Sequence, residues 1–300
     1  MLTYGFVKVF KVQFPDPSLT KLLRPLGELS PMGLAWTYMG FSVGYNIFVG
    51  LGEIIGGVLV LFRKTVSLGS LVIMGVMGHV AVMNFSYDIP VKIFSVHLVF
   101  LAFILFLTDS KRFLNVFFRN KTAEKVKLYE VSDDKIYPKI IAGLKIFVVV
   151  VVTVFFSFQG INRLSSREDM RIQDPFYGIW EAKIMIKNGD TIAPLITNNE
   201  RWRYLILEIK SIASIKMMDD SFSGYKLELQ TDEQQLSLYD EDEQPVSPNF
   251  KYQFFGDSTL QLDGIIEKDT LQLFFGKKNR EDFLLINRGF HWVNETPYNK

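Results

Sequence analysis

The run from Ile140 to Phe158 is centred on five consecutive valines, Val148–Val152, and carries a single charge, Lys145. A helix of about 20 such residues matches the roughly 30 Å hydrocarbon thickness of a bilayer. Lys145 stands near the start of the run, where its ammonium can snorkel to the interface. Three earlier runs, 42–62, 66–87 and 91–108, are of the same kind, and between Gly33 and Phe62 the one formal charge is Glu53. The sequence therefore predicts a membrane all-α helical bundle with spans over 42–62, 66–87, 91–108 and 140–158.

After Gln159-Gly160 the character changes. Ser165 to Asp174 is charged and reads as part of a linker over 161–176. From Tyr177 onward short alternating runs are separated by turn signals such as Asn188-Gly-Asp and Gly256-Asp-Ser. Period-2 alternation, as in Lys226-Leu-Glu-Leu-Gln230, marks half-buried strands. Strands are expected at 180–187, 202–209, 212–218, 225–230, 235–239, 250–255, 259–262, 270–275 and 283–287. Eight or nine sequential strands without helices predict an all-β antiparallel barrel over 177–300, since closure removes exposed edges. The composition, 48% hydrophobic with 22% charged, fits two parts of opposite character.

A net charge of +1 gives nucleic acid no electrostatic footprint, so none is expected as a partner. The chain has no cysteine, which excludes disulfides, thiolate catalysis and iron–sulfur clusters. No metal site is predicted either. The three histidines, His79, His97 and His291, lack metal-ligand spacing, and His291 lies in an aromatic tail.

The N-terminal residues 2–14 are apolar but too short and too charged to span, and read as an interfacial helix or the remainder of a truncated first helix. Pro15, Pro17, Pro25 and Pro31 then interrupt the chain, and Ser30-Pro31 is an N-cap followed by proline at the first helical position. Trp36, Tyr38 and Tyr45 suit a headgroup level. Gly50, Gly52, Gly56 and Gly57 notch the first span and allow a close neighbouring backbone. Pro90 forces a turn between Asp88 and Lys92, which are placed to form a rim ion pair.

Basic residues set the orientation. Arg63-Lys64 and the stretch 109–139, with eight Lys or Arg against five acids, fall on one side, and the Asp88–Lys92 turn falls on the other. The positive-inside rule then places everything after Gly160 outside the cytoplasm. Lys8, Lys11, Lys21 and Arg24 run against this bias.

Phe48-x-Gly50-x-Gly52-Glu53-x-x-Gly56-Gly57, Phe62-Arg63-Lys64-Thr65 with Leu68-Gly69, and Asn84-Phe-x-Tyr87-Asp88-x-Pro90-Val91-Lys92-x-x-Ser95-x-His97 resemble the DoxX-like family of bacterial integral membrane proteins. The resemblance covers about residues 1–118 and implies a four-helix membrane domain over 1–160 in the bacterial inner membrane. Some family members are associated with quinone-linked thiosulfate oxidation. The subgroup it resembles most has an extra helix before the segment corresponding to Tyr4–Pro15. Gly178-x-Trp180 and Arg288-Gly-Phe-His-Trp292 resemble lipocalin-like barrels, which implies that Arg288 stacks on Trp180 and closes one end.

At about 1.5 Å per residue, Glu53 lies roughly 15 Å from the outer surface, His79 roughly 12 Å and His97 roughly 9 Å. With Asn84 they form a polar cluster inside the spans, where such residues are costly and default to function. The cluster supports a quinone or proton site, in which histidine and glutamate exchange protons with a reduced ring. It equally supports a structural hydrogen-bond network, and His79 with His97 raises haem ligation as a third reading. Asp240–Glu243 reads as a solvated hairpin turn. Two functions follow: a non-enzymatic membrane component whose barrel docks a partner or lipid, and a quinone-binding subunit of a redox complex. The partners implied are membrane lipid and a redox or envelope protein.

Overall fold

The computed structural model describes residues 1–122, 136–240, 245–266 and 268–298, so most of Asp240–Glu243 and the middle of the basic stretch lie outside the described residues. The chain divides into two compact units. One comprises Met1–Pro17 and Pro25–Ser166, and the other Ser18–Arg24 and Arg167–Lys300.

The helical unit begins with α1 (Leu2–Val9), while α2 (Leu19–Leu22) belongs to the second unit. Next come α3 (Pro31–Phe41), α4 (Val43–Leu59), α5 (Val66–Ser86), α6 (Lys92–Leu107), α7 (Ser110–Phe117) and α8 (Tyr137–Met170), whose residues from Arg167 onward belong to the second unit. Ser30 caps α3 by accepting the Gly33 N–H at 3.0 Å, with Pro31 at the first helical position. At Ser42 the chain bends by 98°, and Ser42 restarts the helix by accepting the Tyr45 N–H. Asn46 fixes the bend by donating to the carbonyls of Met39 and Ser42, at 2.5 and 3.1 Å.

The glycines of α4 serve two faces. A Cβ on Gly50 would stand 2.6 Å from the Gly5 carbonyl, and one on Gly57 would press on Met1 and Leu2, so α1 lies directly on α4. On another face, a Cβ on Gly56 would meet Ile73 at 2.8 Å and one on Gly52 would meet Val76, both on α5. The α5–α6 turn is closed by Asn84, which donates to Ser95 Oγ at 3.1 Å, and by the Ile89 N–H bonding the Asn84 carbonyl. Lys145 of α8 donates to the Leu61 carbonyl at 2.5 Å. α5 and α8 are long and apolar enough to cross a membrane, as are α3–α4 and α6–α7 if each bent pair is one span.

The second unit is a closed antiparallel barrel of eight strands: β1 (Gly178–Lys187) and β3 (Trp202–Ile209) to β9 (Asp269–Lys278). Each of β4 (Ile212–Met217), β5 (Phe222–Gln230), β6 (Gln235–Tyr239), β7 (Pro245–Phe255) and β8 (Thr259–Ile266) pairs with its sequence neighbours. β1 pairs with β9 from Ile179↔Lys278 to Lys187↔Leu271, which seals the sheet. The short β2 (Asp190–Thr191) pairs with the end of β1. Inward residues Trp180, Trp202, Leu205, Leu207, Leu236, Leu238, Phe250, Leu262, Leu273 and Phe275 make a continuous core. The strand expected at 283–287 is instead a helical turn, α9 (Leu284–Asn287). β9 already pairs with β8 on one side and β1 on the other, so the segment that follows it has no free edge of β9 to join.

Ser18–Arg24 forms a strap on the outside of this barrel. Leu19 is buried with Ile179, Tyr204 and Ile206, and its N–H donates to the Glu208 carboxylate at 3.0 Å. Lys216 donates to the Leu23 carbonyl at 2.8 Å, and the Arg24 guanidinium lies 5.3 Å from the Phe222 ring centre.

Candidate functional site

Among the described residues, each unit has a pocket that combines apolar walls with polar groups. In the helical unit, the close contact of α1 with α4 at Gly5 and Gly50 brings Lys8 to Glu53. Lys8 Nζ donates to Glu53 Oε1 at 2.8 Å, and both residues are buried, at 4% and 1% exposure. Stripping two charges of water costs several kcal/mol per ion, so such a pair persists only where each partner offsets the other. The Lys8 ammonium also lies 5.8 Å from the Tyr4 ring centre. Among the described residues no donor reaches Glu53 Oε2 or Gln13 Oε1, although both atoms are buried.

These groups line a chamber of about 70 Å³ with His79, Asn84, Ser95 and apolar side chains. Small-molecule pockets run to about 300–1,000 Å³. A water in the liquid occupies about 30 Å³, so this volume is of the order of two waters. Glu53, His79 and Asn84 share the chamber. His97 does not line it and is exposed on α6. The convergence of Glu53, His79 and His97 expected from their common depth is therefore not formed, because depth fixes a level along a helix but not the face a residue occupies. The sequence pattern alone does not single out Lys8 for this chamber. The signal was Gly5, three residues before it, paired with Gly50, three before Glu53.

At the α5–α6 turn, Asp88 and Lys92 form an ion pair across Pro90. The hydrogen bond and charge of Lys92 hold the Asp88 carboxyl below its ordinary range. Among the described residues no group of three or more His, Asp or Glu is arranged to hold a metal.

In the barrel unit, Trp180 is fully buried, and its indole N–H donates to the Phe176 carbonyl at 2.8 Å. The cation over its ring is Lys277, at 5.5 Å, whereas Arg288 lies 4.2 Å from the Tyr298 ring centre. The expected Trp180–Arg288 stack is thus replaced. Lys277 sits opposite Trp180 in the β1–β9 register and two residues beyond inward-facing Phe275, while Arg288 follows α9 and has left the strand. His291 is exposed.

Beside Trp180 the barrel opens into a mouth cavity of about 800 Å³. Its apolar wall includes Phe176, Leu227, Leu229, Tyr252 and Phe254, and Lys210 and Glu228 are among its polar residues. Phe176 meets Tyr252 and Phe254 edge-on, with ring centres 5.0 and 5.1 Å apart. Burial, with the Asp232 carboxylate nearby, pushes the Tyr252 hydroxyl above its ordinary range. Beneath the strap, burial pushes the Glu208 carboxyl up, against the opposing effects of the Leu19 N–H, Arg280 and Arg171.

No protein-family model matches the chain, and no solved structure matches it. The chain is 31% identical over 123 residues to "Uncharacterized protein YwoB" of Bacillus subtilis (strain 168), a match covering 38% of this chain and 72% of that protein.

Proposed function

The chain belongs to the family of the uncharacterized Bacillus subtilis protein YwoB, and from its geometry we propose a non-enzymatic, multi-pass protein of the bacterial cytoplasmic membrane whose extracytoplasmic barrel holds a single-chain amphiphile. The mouth cavity carries this reading. Its volume of about 800 Å³ falls within the range of small-molecule sites, and barrel mouths are a common place for them. An aromatic and aliphatic wall suits an acyl chain, and Lys210 and Glu228 suit a polar head. In this reading the barrel works in a lipocalin-like manner and membrane lipid is the partner.

The helical unit supports a membrane setting through its surface. Ile93 is 84% exposed and Phe48 73%, and none of the apolar window of α8 is buried. Apolar patches of this extent are rare on soluble monomers, and hydrocarbon removes their cost. The DoxX-like resemblance of residues 1–118 agrees with such a setting. Three of the four N-terminal cations that oppose the positive-inside bias are engaged locally: Lys8 by Glu53, Lys11 by Asp16 at 2.5 Å, and Arg24 by Phe222.

Native mass spectrometry of the full chain released from mild detergent tests the proposal. A single-chain lipid adduct is expected on the wild type and is lost from Leu229→Arg, which places a guanidinium on the cavity wall. An adduct of equal occupancy in both proteins, or none in the wild type, contradicts it.

A further inference from the structure

The chamber at Lys8 and Glu53 is lined by residues of the helical unit. It presents two acceptors, Glu53 Oε2 and Gln13 Oε1, that no donor reaches among the described residues, each buried and each on a residue lining the same space. A buried carboxylate oxygen left bare costs more than an ordinary lost hydrogen bond, so the site favours an occupant that donates. Lys8 already balances the charge of Glu53 at 2.8 Å, which removes the electrostatic demand for a second cation. The volume, about 70 Å³, excludes a drug-sized solute and admits about two waters, each needing two to four polar partners. Glu53, Gln13 and the unused ammonium protons of Lys8 supply those partners, and Asn84 and Ser95 extend the polar lining.

We propose that the Lys8–Glu53 pair is a hydrated proton-exchange site, in which about two waters donate to Glu53 Oε2 and Gln13 Oε1 and accept from Lys8. Each exchange event replaces one ammonium proton of Lys8 with a water proton and leaves both charges unchanged. The titratable groups lining the chamber are Tyr4 and Lys8 from α1, Glu53 from α4 and His79 from α5. A dry ion pair between two helices is the competing account, and it predicts an ammonium sealed from solvent.

Water-edited solid-state NMR of the full chain in lipid bilayers, with labelled glutamate and lysine, separates the two. Signals of Glu53 Cδ and Lys8 Nζ are identified by their loss in Glu53→Gln and Lys8→Met. If either variant does not fold, Glu53→Asp and Lys8→Arg provide the assignment. Polarisation from water is expected to reach Glu53 Cδ within about threefold of the rate seen for exposed glutamates. Gln13→Leu is expected to slow that transfer severalfold while leaving exposed glutamates unaffected. Transfer to Glu53 more than tenfold slower than to exposed glutamates, or a rate indifferent to Gln13→Leu, overturns the proposal.

Discussion

Lys8 and Glu53, 45 residues apart in the chain, meet at 2.8 Å with both side chains almost wholly removed from the surface. Removing one partner strands the other as a bare buried charge, whereas removing both leaves an uncharged contact of similar shape. Lys8→Met and Glu53→Gln are each expected to destabilise the helical unit by about 3–5 kcal/mol. The double variant should recover more than half of that loss. A double-mutant cycle on thermal unfolding in detergent measures the coupling, and simple additivity of the two losses would show that the pair is not energetically coupled.

The α1–α4 contact depends on two glycines facing each other. A methyl group on Gly50 would stand 2.6 Å from the Gly5 carbonyl, and backbone cannot yield as a side-chain end can. Gly50→Ala should force α1 away from α4 and weaken the Lys8–Glu53 bond, and Gly44→Ala, which meets nothing within 4 Å, should be neutral. Protease accessibility of the α1 connection, compared between the two variants, checks this. Equal accessibility would mean that α1 is held elsewhere.

Legibility differed between the units for physical reasons. The barrel was readable because a half-buried strand alternates every second residue, as Lys226-Leu-Glu-Leu-Gln230 does, and because turn residues mark strand ends. The strap leaves only an indirect trace in the sequence, in β3. Tyr204-Leu-Ile-Leu207 is apolar on both faces, which means that something covers the outside, and sequence alone does not name Leu19 as the cover. The resemblance to a late lipocalin arginine points to Arg288, while strand register gives the position over Trp180 to Lys277. Depth alone groups His97 with Glu53, and rotation about the helix axis separates them.

The strap gives the barrel a pH dependence. Glu208 titrates above its ordinary value because burial disfavours its charge. The folded barrel therefore binds this proton more tightly than the unfolded chain. Its contribution to stability is full below the unfolded carboxylate range and is lost as pH rises through the folded value. Glu208→Gln should remove this component, so the difference in melting temperature between wild type and variant should change sign or size across that window. The exposed carboxylates of Asp219, Asp220 and Asp269, held low by their partners, act in the opposite direction in both proteins and cancel in the comparison. A difference independent of pH would contradict the burial of Glu208. Leu19→Ala, at a site with 1% exposure, should cost about 2–3 kcal/mol in the same assay.

The end of the barrel core beside the mouth discriminates between two cations. Trp180→Ala is expected to cost about 3–5 kcal/mol as a core truncation. Lys277→Ala should cost about 1 kcal/mol or less, as a cation–π contact between a partly exposed lysine and the buried Trp180 ring. Arg288→Ala should leave the melting temperature unchanged, since its ring partner Tyr298 is itself exposed. A loss at Arg288 exceeding that at Lys277 would restore the stack expected from the sequence.

The central claim is that the barrel mouth holds a single-chain amphiphile, and photo-crosslinking places such a ligand most directly. The full chain in lipid nanodiscs is loaded with a photoactivatable fatty acid, irradiated and mapped by peptide mass spectrometry. Crosslinks are expected at 227–231 of β5 and its turn and at 252–254 of β7, and they should fall at least tenfold in Phe254→Arg. Crosslinks confined to the apolar helices, with the mouth unlabelled in the wild type, would contradict the account.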